Sequence, residues 1–230
     1  MQPLLGYEAR FAAGLAITAA VALCALALAL SLGLAGAGAK LSPNRWARVA
    51  AEVYTTAVRG IPELLFILLF YHEAQKLLNF VLSDAAAQST EVLQIPPFWA
   101  GVLGIGFFYG AYMTETFRGA FLAVPRGQSE AGLAVGLSRR TVFWRVIFPQ
   151  MLRHALPGIR NNWLVLLKAT ALVSVIGLSD DMMAVANQAK AKTQLPFLFY
   201  CAAAAGYLFL TAISGAAFNR LEKYARRGIA

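Results

Sequence analysis

Charge is scarce in this sequence. Asp, Glu, Lys and Arg make up 13% of its 230 residues, against roughly 25% in a soluble domain. An ordinary water-soluble enzyme is excluded on that ground. Cysteine is nearly absent: Cys24 and Cys201 each lie inside an apolar run, with neither a disulfide framework nor a metal-ligand spacing. A phosphate loop is missing as well. The stretch GLAGAGAK ending at Lys40 has the glycines, but Lys40 does not directly follow one and no strand precedes it. The chain is therefore expected to bind no nucleotide, cofactor or metal of its own. Nor is there an internal repeat, the usual mark of a self-contained secondary transporter.

What the sequence has is apolar length. Hydrophobic residues make up 59% of it, and the mean hydropathy is +0.61. We read one domain, residues 1–230, as an all-α integral membrane protein with five spans at about 11–38, 46–71, 98–117, 163–178 and 197–218. The run 11–38 is too long for the 7–15-residue apolar core of a signal peptide, and Lys40, Arg45 and Arg48 follow it. It reads as a retained first span, although AGAGA near residue 37 leaves cleavage open. Gly14, Gly33, Gly36 and Gly38 in the first span permit close helix packing, as do Gly101, Gly104, Gly106 and Gly110 in the third.

The net charge of +9 invites a nucleic-acid reading. Its distribution argues against one, because the basic residues sit at the ends of apolar runs, where topology explains them. Lys40, Arg45, Arg48, Arg126, Arg139, Arg140, Arg145, Arg153, Arg220, Lys223, Arg226 and Arg227 fall on one side of the membrane. Arg10, Lys76, Lys190 and Lys192 fall on the other. The richer side is cytoplasmic, so the N-terminus is outside and the C-terminus inside. Residues 72–97 read as amphipathic and then loop-like, with Glu73, Asp84 and Glu91, and residues 179–196 read as a polar loop.

Between the third and fourth spans lies a charged segment, RGQSEAGLAVGLSRRTVFWRVIFP, residues 126–149. It predicts two short helices with a break. Pro125 stops the preceding span, Ser129 caps the first helix and Glu130 suits its positive end. Gly136 ends that helix in a left-handed conformation. Ser138 caps the second, whose stripe Val142, Phe143, Val146 and Ile147 opposes Arg139, Arg140 and Arg145. Pro149 and Pro157 are expected to break the chain on either side of a short turn.

Charges inside the spans are costly and turn toward water, the bundle or a partner. Glu52, Arg59 and Glu63 lie seven and four residues apart, which predicts one shared helix face, as a structural ion-paired surface or as a gate. Lys168 is placed toward the pore or a facing subunit's carboxylate, with Thr170 and Ser174 on the same polar surface; snorkelling to the interface is the alternative.

Glu130-Ala131, Gly136 and Val146-Ile147-Phe148-Pro149 keep a spacing that resembles the cytoplasmic loop of ABC-importer permeases. That pattern is E-A-A, three residues, G, nine residues, I-x-L-P; Gly132, Val146 and Phe148 depart from it. Arg59-Gly60-Ile61-Pro62 resembles the R-G-x-P motif of polar amino-acid permeases. The runs YGAYMTETFRGAFLAVPRG and LPGIRNNWLVLLKATALVSVIGL resemble the Q-type permease subunit of the histidine and lysine–arginine–ornithine importers.

The resemblance implies a type I importer permease of the bacterial inner membrane. Its partners would be two cytoplasmic ATPase subunits that hold ATP and Mg, a periplasmic binding protein and a second permease chain. That second chain would be a different, M-type subunit, with a homodimer left open. It implies that Glu130, Ala131, Gly136, Arg139, Arg140 and Pro149 form the ATPase-coupling helix. It also implies cationic amino acids as cargo, or opines or other polar amino acids. Glu63, Tyr112, Glu115, Lys168, Thr170 and Ser174 are the candidate pathway residues. Glu52, Arg59 and Arg118 are candidate structural or gate charges, and Arg59 and Arg118 could equally pair with Glu63 and Glu115.

Overall fold

The computed structural model describes residues 6–85 and 94–226. Among these, every regular element is helical: α1 (Glu8–Leu41), α2 (Arg45–Gly60), α3 (Glu63–Ala85), α4 (Pro97–Ala123), α5 (Arg126–Ala134), α6 (Arg139–Val142), α7 (Phe148–Ala169), α8 (Met182–Thr193) and α9 (Pro196–Arg226). A π-helical segment, Phe143–Ile147, joins α6 to α7, and a 3-10 segment, Thr170–Ile176, continues α7. The expected loop residue Glu91 and tail residue Arg227 lie outside the described residues.

The core is built on α1 against α4. Small residues let the two axes approach. A Cβ at Gly33 of α1 would lie 2.5 Å from the Cβ of Met113, and one at Gly106 of α4 would lie 2.7 Å from Leu28 Cδ2. Around this seam Ala22, Ala25, Ala29, Ile105, Phe108, Met113, Phe117, Met151, Leu166 and Leu167 are buried. A second, smaller cluster of Phe11, Met182, Val185 and Phe199 joins α1, α8 and α9.

Three described helices are long and apolar enough to cross a membrane by themselves: α1, the continuous run Arg139–Ile176, and Pro196–Ala225. By the same measure of length and hydropathy α2 and α3 pass only as a pair, bent by 116° at their break. The second span is therefore not the straight helix over 46–71 that the sequence predicts. Pro62 removes a backbone donor and forces the residue before it out of the α region, and Ile61 is extended at φ −97°, ψ 140°. The break puts Glu63 on a new helix, so Glu52, Arg59 and Glu63 do not share a face.

Three other expectations are corrected. The stretch after His72 continues as helix to Ala85 before any loop. The polar loop 179–196 contains α8, whose first turn is capped by Asp181 accepting from Met183 and Ala184 N–H, with Lys190 and Lys192 favouring the negative end. Pro149 and Pro157 do not bracket a turn. Pro149 is the second residue of α7, just past the π segment, where Phe148 N–H bonds Phe143 O. The ladder has already lengthened its step there, and the ring and missing donor fit. Pro157 lies inside α7 with its ring on the exposed side.

Candidate functional site

The segment 126–149 folds as two short helices with the predicted break, but their starts differ. α5 begins at Arg126, directly after Pro125, without a side-chain cap. Ser129 instead donates its hydroxyl to the Arg126 carbonyl. Glu130 is thus the fifth residue of α5, not a first-turn residue, and it is exposed. The end of α5 is as read: Gly136 has φ +83°. Its N–H bonds Leu133 O at 3.0 Å, and Leu137 N–H bonds Gly132 O at 3.1 Å, the paired bonds of a Schellman cap. Ser138 caps the second helix by accepting from Thr141 N–H.

The two helices clasp at Gly132 and Val142. A Cβ at Gly132 would meet Val142 Cγ2 at 2.9 Å, so the departure from alanine at this position permits the clasp. Val142 is buried, Val146 and Ile147 are half-buried, and Arg139, Arg140 and Arg145 are exposed. Phe143 stacks on Phe121 of α4 at 6.1 Å, tying the segment to the bundle. Ala131 and Pro149 are exposed, as are Leu133, Val135 (76%) and Trp144 (54%), apolar groups that no other described residue covers.

At the end of α1 the structure gathers the candidate gate charges. Lys40, 9% exposed, reaches Glu115 Oε1 at 2.5 Å and Glu52 Oε2 at 2.8 Å. Arg118 Nε meets the other Glu115 oxygen at 2.9 Å. Arg59 lies over the Tyr112 ring at 5.3 Å. Together with Arg48, Thr55 and Thr56 these charges line a polar cavity of about 290 Å³. The sequence marks Lys40 as a basic flank of the first span on the cytoplasmic side. A lysine in the last turn of an apolar helix gives no sign from sequence that it turns inward.

Glu63 and Tyr112 share a different cavity, of about 380 Å³, lined also by Pro62, Tyr109, Asn161 and Asn162. The break at Pro62 starts α3 with its first side chain facing α4. The Tyr109 ring lies beside Glu63 in this cavity, and Glu63 Oε1 is buried with no hydrogen-bond partner among the described residues. Asn162 donates to Thr116 Oγ1 at 3.0 Å. Sequence reasoning missed Tyr109, Asn161 and Asn162, although an asparagine pair on an apolar helix was an available signal.

Lys168, Thr170 and Ser174 do not form one surface. Lys168 lines an apolar groove of about 540 Å³ with Met183, Tyr200, Tyr207 and Thr211. Thr170 is buried and turns its hydroxyl back to Leu167 O, and Ser174 bonds Ala171 O. The tighter 3-10 winding after Ala169 breaks the register that the prediction assumed. No group of three or more His, Cys, Asp or Glu among the described residues is placed to hold a metal.

The family model for the binding-protein-dependent transport system inner membrane component matches residues 27–229. The chain belongs to that family. The permease is 43% identical over 220 residues to the histidine/lysine/arginine/ornithine transport system permease protein HisQ of Escherichia coli K12, covering 96% of this chain and 95% of that one. It is 42% identical to the octopine transport system permease protein OccQ of Rhizobium meliloti, covering 93% and 89%. Among solved structures, a crystal structure of an amino acid ABC transporter with histidines matches with TM-score 0.78 at 29% identity, over 95% of each chain. The inward-facing MetNI methionine ABC transporter matches with TM-score 0.69 at 14% identity, over 98% and 99%, which speaks to fold alone. The permease thus has the all-helical type I ABC permease fold, and it is a protein of the bacterial inner membrane.

Proposed function

We propose that this permease, acting as one domain over residues 1–230, forms half of the pore of an ATP-driven importer for cationic amino acids such as histidine, arginine, lysine and ornithine. The observation that carries the substrate class is Glu63: a carboxylate with one buried, unpartnered oxygen at the edge of a cavity with asparagines and tyrosines. Buried polar groups in native proteins are satisfied as a rule, and an ammonium or guanidinium group entering the cavity would satisfy this one. Tyr112 sits between this cavity and the charge node, and Glu115, Arg118, Glu52 and Arg59 then act as the inner gate.

In this reading α1, α3, α4, α7 and α9 cross the membrane, with the N-terminus outside and the C-terminus cytoplasmic. The basic residues of the loops support the orientation. Segment 126–149 is the coupling helix, and its uncovered apolar residues support docking into an ATPase groove. Two ATPase subunits hold ATP and Mg, a periplasmic protein delivers cargo, and a second, different permease chain completes the pore. That chain supplies a carboxylate for Lys168, which has none in ion-pair reach among the described residues. The chain itself hydrolyses nothing and binds neither cofactor nor nucleic acid. Moving a two-state pore from 1:99 to 99:1 takes about 5.5 kcal/mol, which the ATPase pair transmits through the capped α5–α6 joint.

The test is reconstitution with the neighbouring ATPase, permease and binding protein, followed by ATP-dependent uptake across amino acids. Glu63→Gln should lose uptake of basic cargo while keeping assembly; undiminished uptake of arginine and lysine by that variant removes the substrate reading. The octopine relatives favour opines as a second reading, since octopine presents the same basic head with an added carboxylate. Competition by octopine in the same assay separates the two.

A further inference from the structure

α2 is a helix that crosses nothing by itself. Its 16 residues extend about 24 Å, short of the roughly 30 Å hydrocarbon core, and they carry Arg45, Arg48, Glu52 and Arg59. It turns 116° away from α3. Its Glu52 is tied to Lys40, in the last turn of α1. The Glu52 side of the helix therefore lies at one end of the bundle, and Tyr54 reaches inward from it to the Phe107 carbonyl of α4 at 2.6 Å.

At about 100° per residue the side chains of α2 sort into a buried face, an exposed apolar face on nearly the opposite side, and a charged edge between them. Ala51, Thr55 and Val58 are buried against the bundle. Arg45, Arg48, Glu52 and Arg59 form a charged edge, three of them lining the polar cavity at Lys40. Trp46, Val49 and Val53 make the third face and are 72%, 52% and 61% exposed. The charges beside this apolar face favour one occupant. The Arg45 guanidinium stacks on the Trp46 ring at 5.2 Å, and Arg48 donates to the Ser42 carbonyl at 3.4 Å. Neither arginine has a carboxylate in ion-pair reach among the described residues. An apolar stripe, a basic edge and a tryptophan at the junction are the makeup of a helix lying in a bilayer interface.

We propose that α2 is an interfacial anchor. Trp46, Val49 and Val53 rest in the acyl region of one leaflet, and Arg45 and Arg48 bind the phosphates of anionic phospholipid. That the leaflet is the cytoplasmic one rests on the orientation proposed above; the contact itself does not.

The test uses the full chain, with Cys24 and Cys201 changed to serine, assembled with its partner subunits in nanodiscs of phosphatidylcholine and phosphatidylglycerol. A nitroxide is placed at Val49→Cys or Val53→Cys. Both positions should be open to oxygen and shielded from a water-soluble nickel chelate. Shielding from both reagents places a protein chain on this face, and access to nickel places it in water; either result overturns the anchor. With Arg45→Gln and Arg48→Gln the preference for spin-labelled phosphatidylglycerol over phosphatidylcholine should fall about fivefold per arginine. An unchanged preference overturns headgroup recognition. Labelling of Thr56→Cys by a membrane-impermeant maleimide in sided vesicles then reports the leaflet. Reaction from the periplasmic side overturns the orientation and leaves the lipid contact standing.

Discussion

Replacing Gly136 should uncouple the permease from its ATPase without disturbing the membrane bundle. The residue holds φ +83°, and a Cβ built there meets nothing within 4 Å. The cost of a side chain is therefore in the backbone alone. A left-handed L-residue costs about 1–2 kcal/mol, and β-branching makes it worse. If the turn opens instead, the bonds from Gly136 N–H to Leu133 O and from Leu137 N–H to Gly132 O are lost, each worth roughly 0.5–1.5 kcal/mol net. For Gly136→Val we expect about 2–3 kcal/mol against the native turn, a factor of roughly 30–150. The damage stays local because α5 packs mainly on α6 and the π segment, with one bond from Gln150 of α7 to Gln128. The assay is co-purification of the ATPase, with ATP hydrolysis measured with and without loaded binding protein. Asparagine tolerates this conformation, so activity should fall in the order Asn, Ala, Val. Wild-type coupling in all three variants, or loss of membrane insertion with valine, would refute the reasoning.

Glu130→Ala leaves an exposed position of α5 intact as a fold; if Glu130 pairs with a basic ATPase residue, its loss at the docked interface should cost about 2–5 kcal/mol, read as reduced ATPase co-purification. Lys40→Met strands Glu115 with Arg118 alone and should destabilise the chain by about 3 kcal/mol, the low end for a broken buried pair, because Glu52 is 68% exposed. Glu52→Gln, on the exposed side of the same node, should cost less than about 1 kcal/mol; equal melting losses for the two variants would contradict the burial argument. Lys168→Met should impair uptake while leaving assembly with the second permease measurable by co-purification, and full uptake removes Lys168 from the pathway. Asp181, in the turn ahead of α8, has its carboxyl raised to about 6, first by burial, against hydrogen bonds from Ala184 and Met183 that lower it. The folded state then holds the proton more tightly than the unfolded chain, so this residue stabilises as pH falls from about 6 toward 4, and that gain is lost as pH rises through about 6. Asp181→Asn should flatten that slope in melting curves across this range.

Composition and local pattern alone determined the all-helical membrane class and the two-helix form of segment 126–149. A chain with 13% charge and 59% hydrophobic residues has to place its helices in lipid, and the glycine and proline of the 126–149 segment act through their own backbones. Gly136 and Ser138 were legible because a left-handed stop and an N-cap are settled within a few residues. The start of α5 was not, since Ser129 had a competing bond to the Arg126 carbonyl. Tertiary structure decided what depends on distant elements. The break at Pro62 was visible as a proline, but its 116° angle follows from α2 and α3 packing separately on α4. That angle delivers Glu63 to Tyr109, and it leaves the Glu52 side of α2 at one end of the bundle. Lys40 joins Glu115 across 75 residues of sequence, a pairing that no local spacing encodes, because it exists only where the end of α1 meets the side of α4.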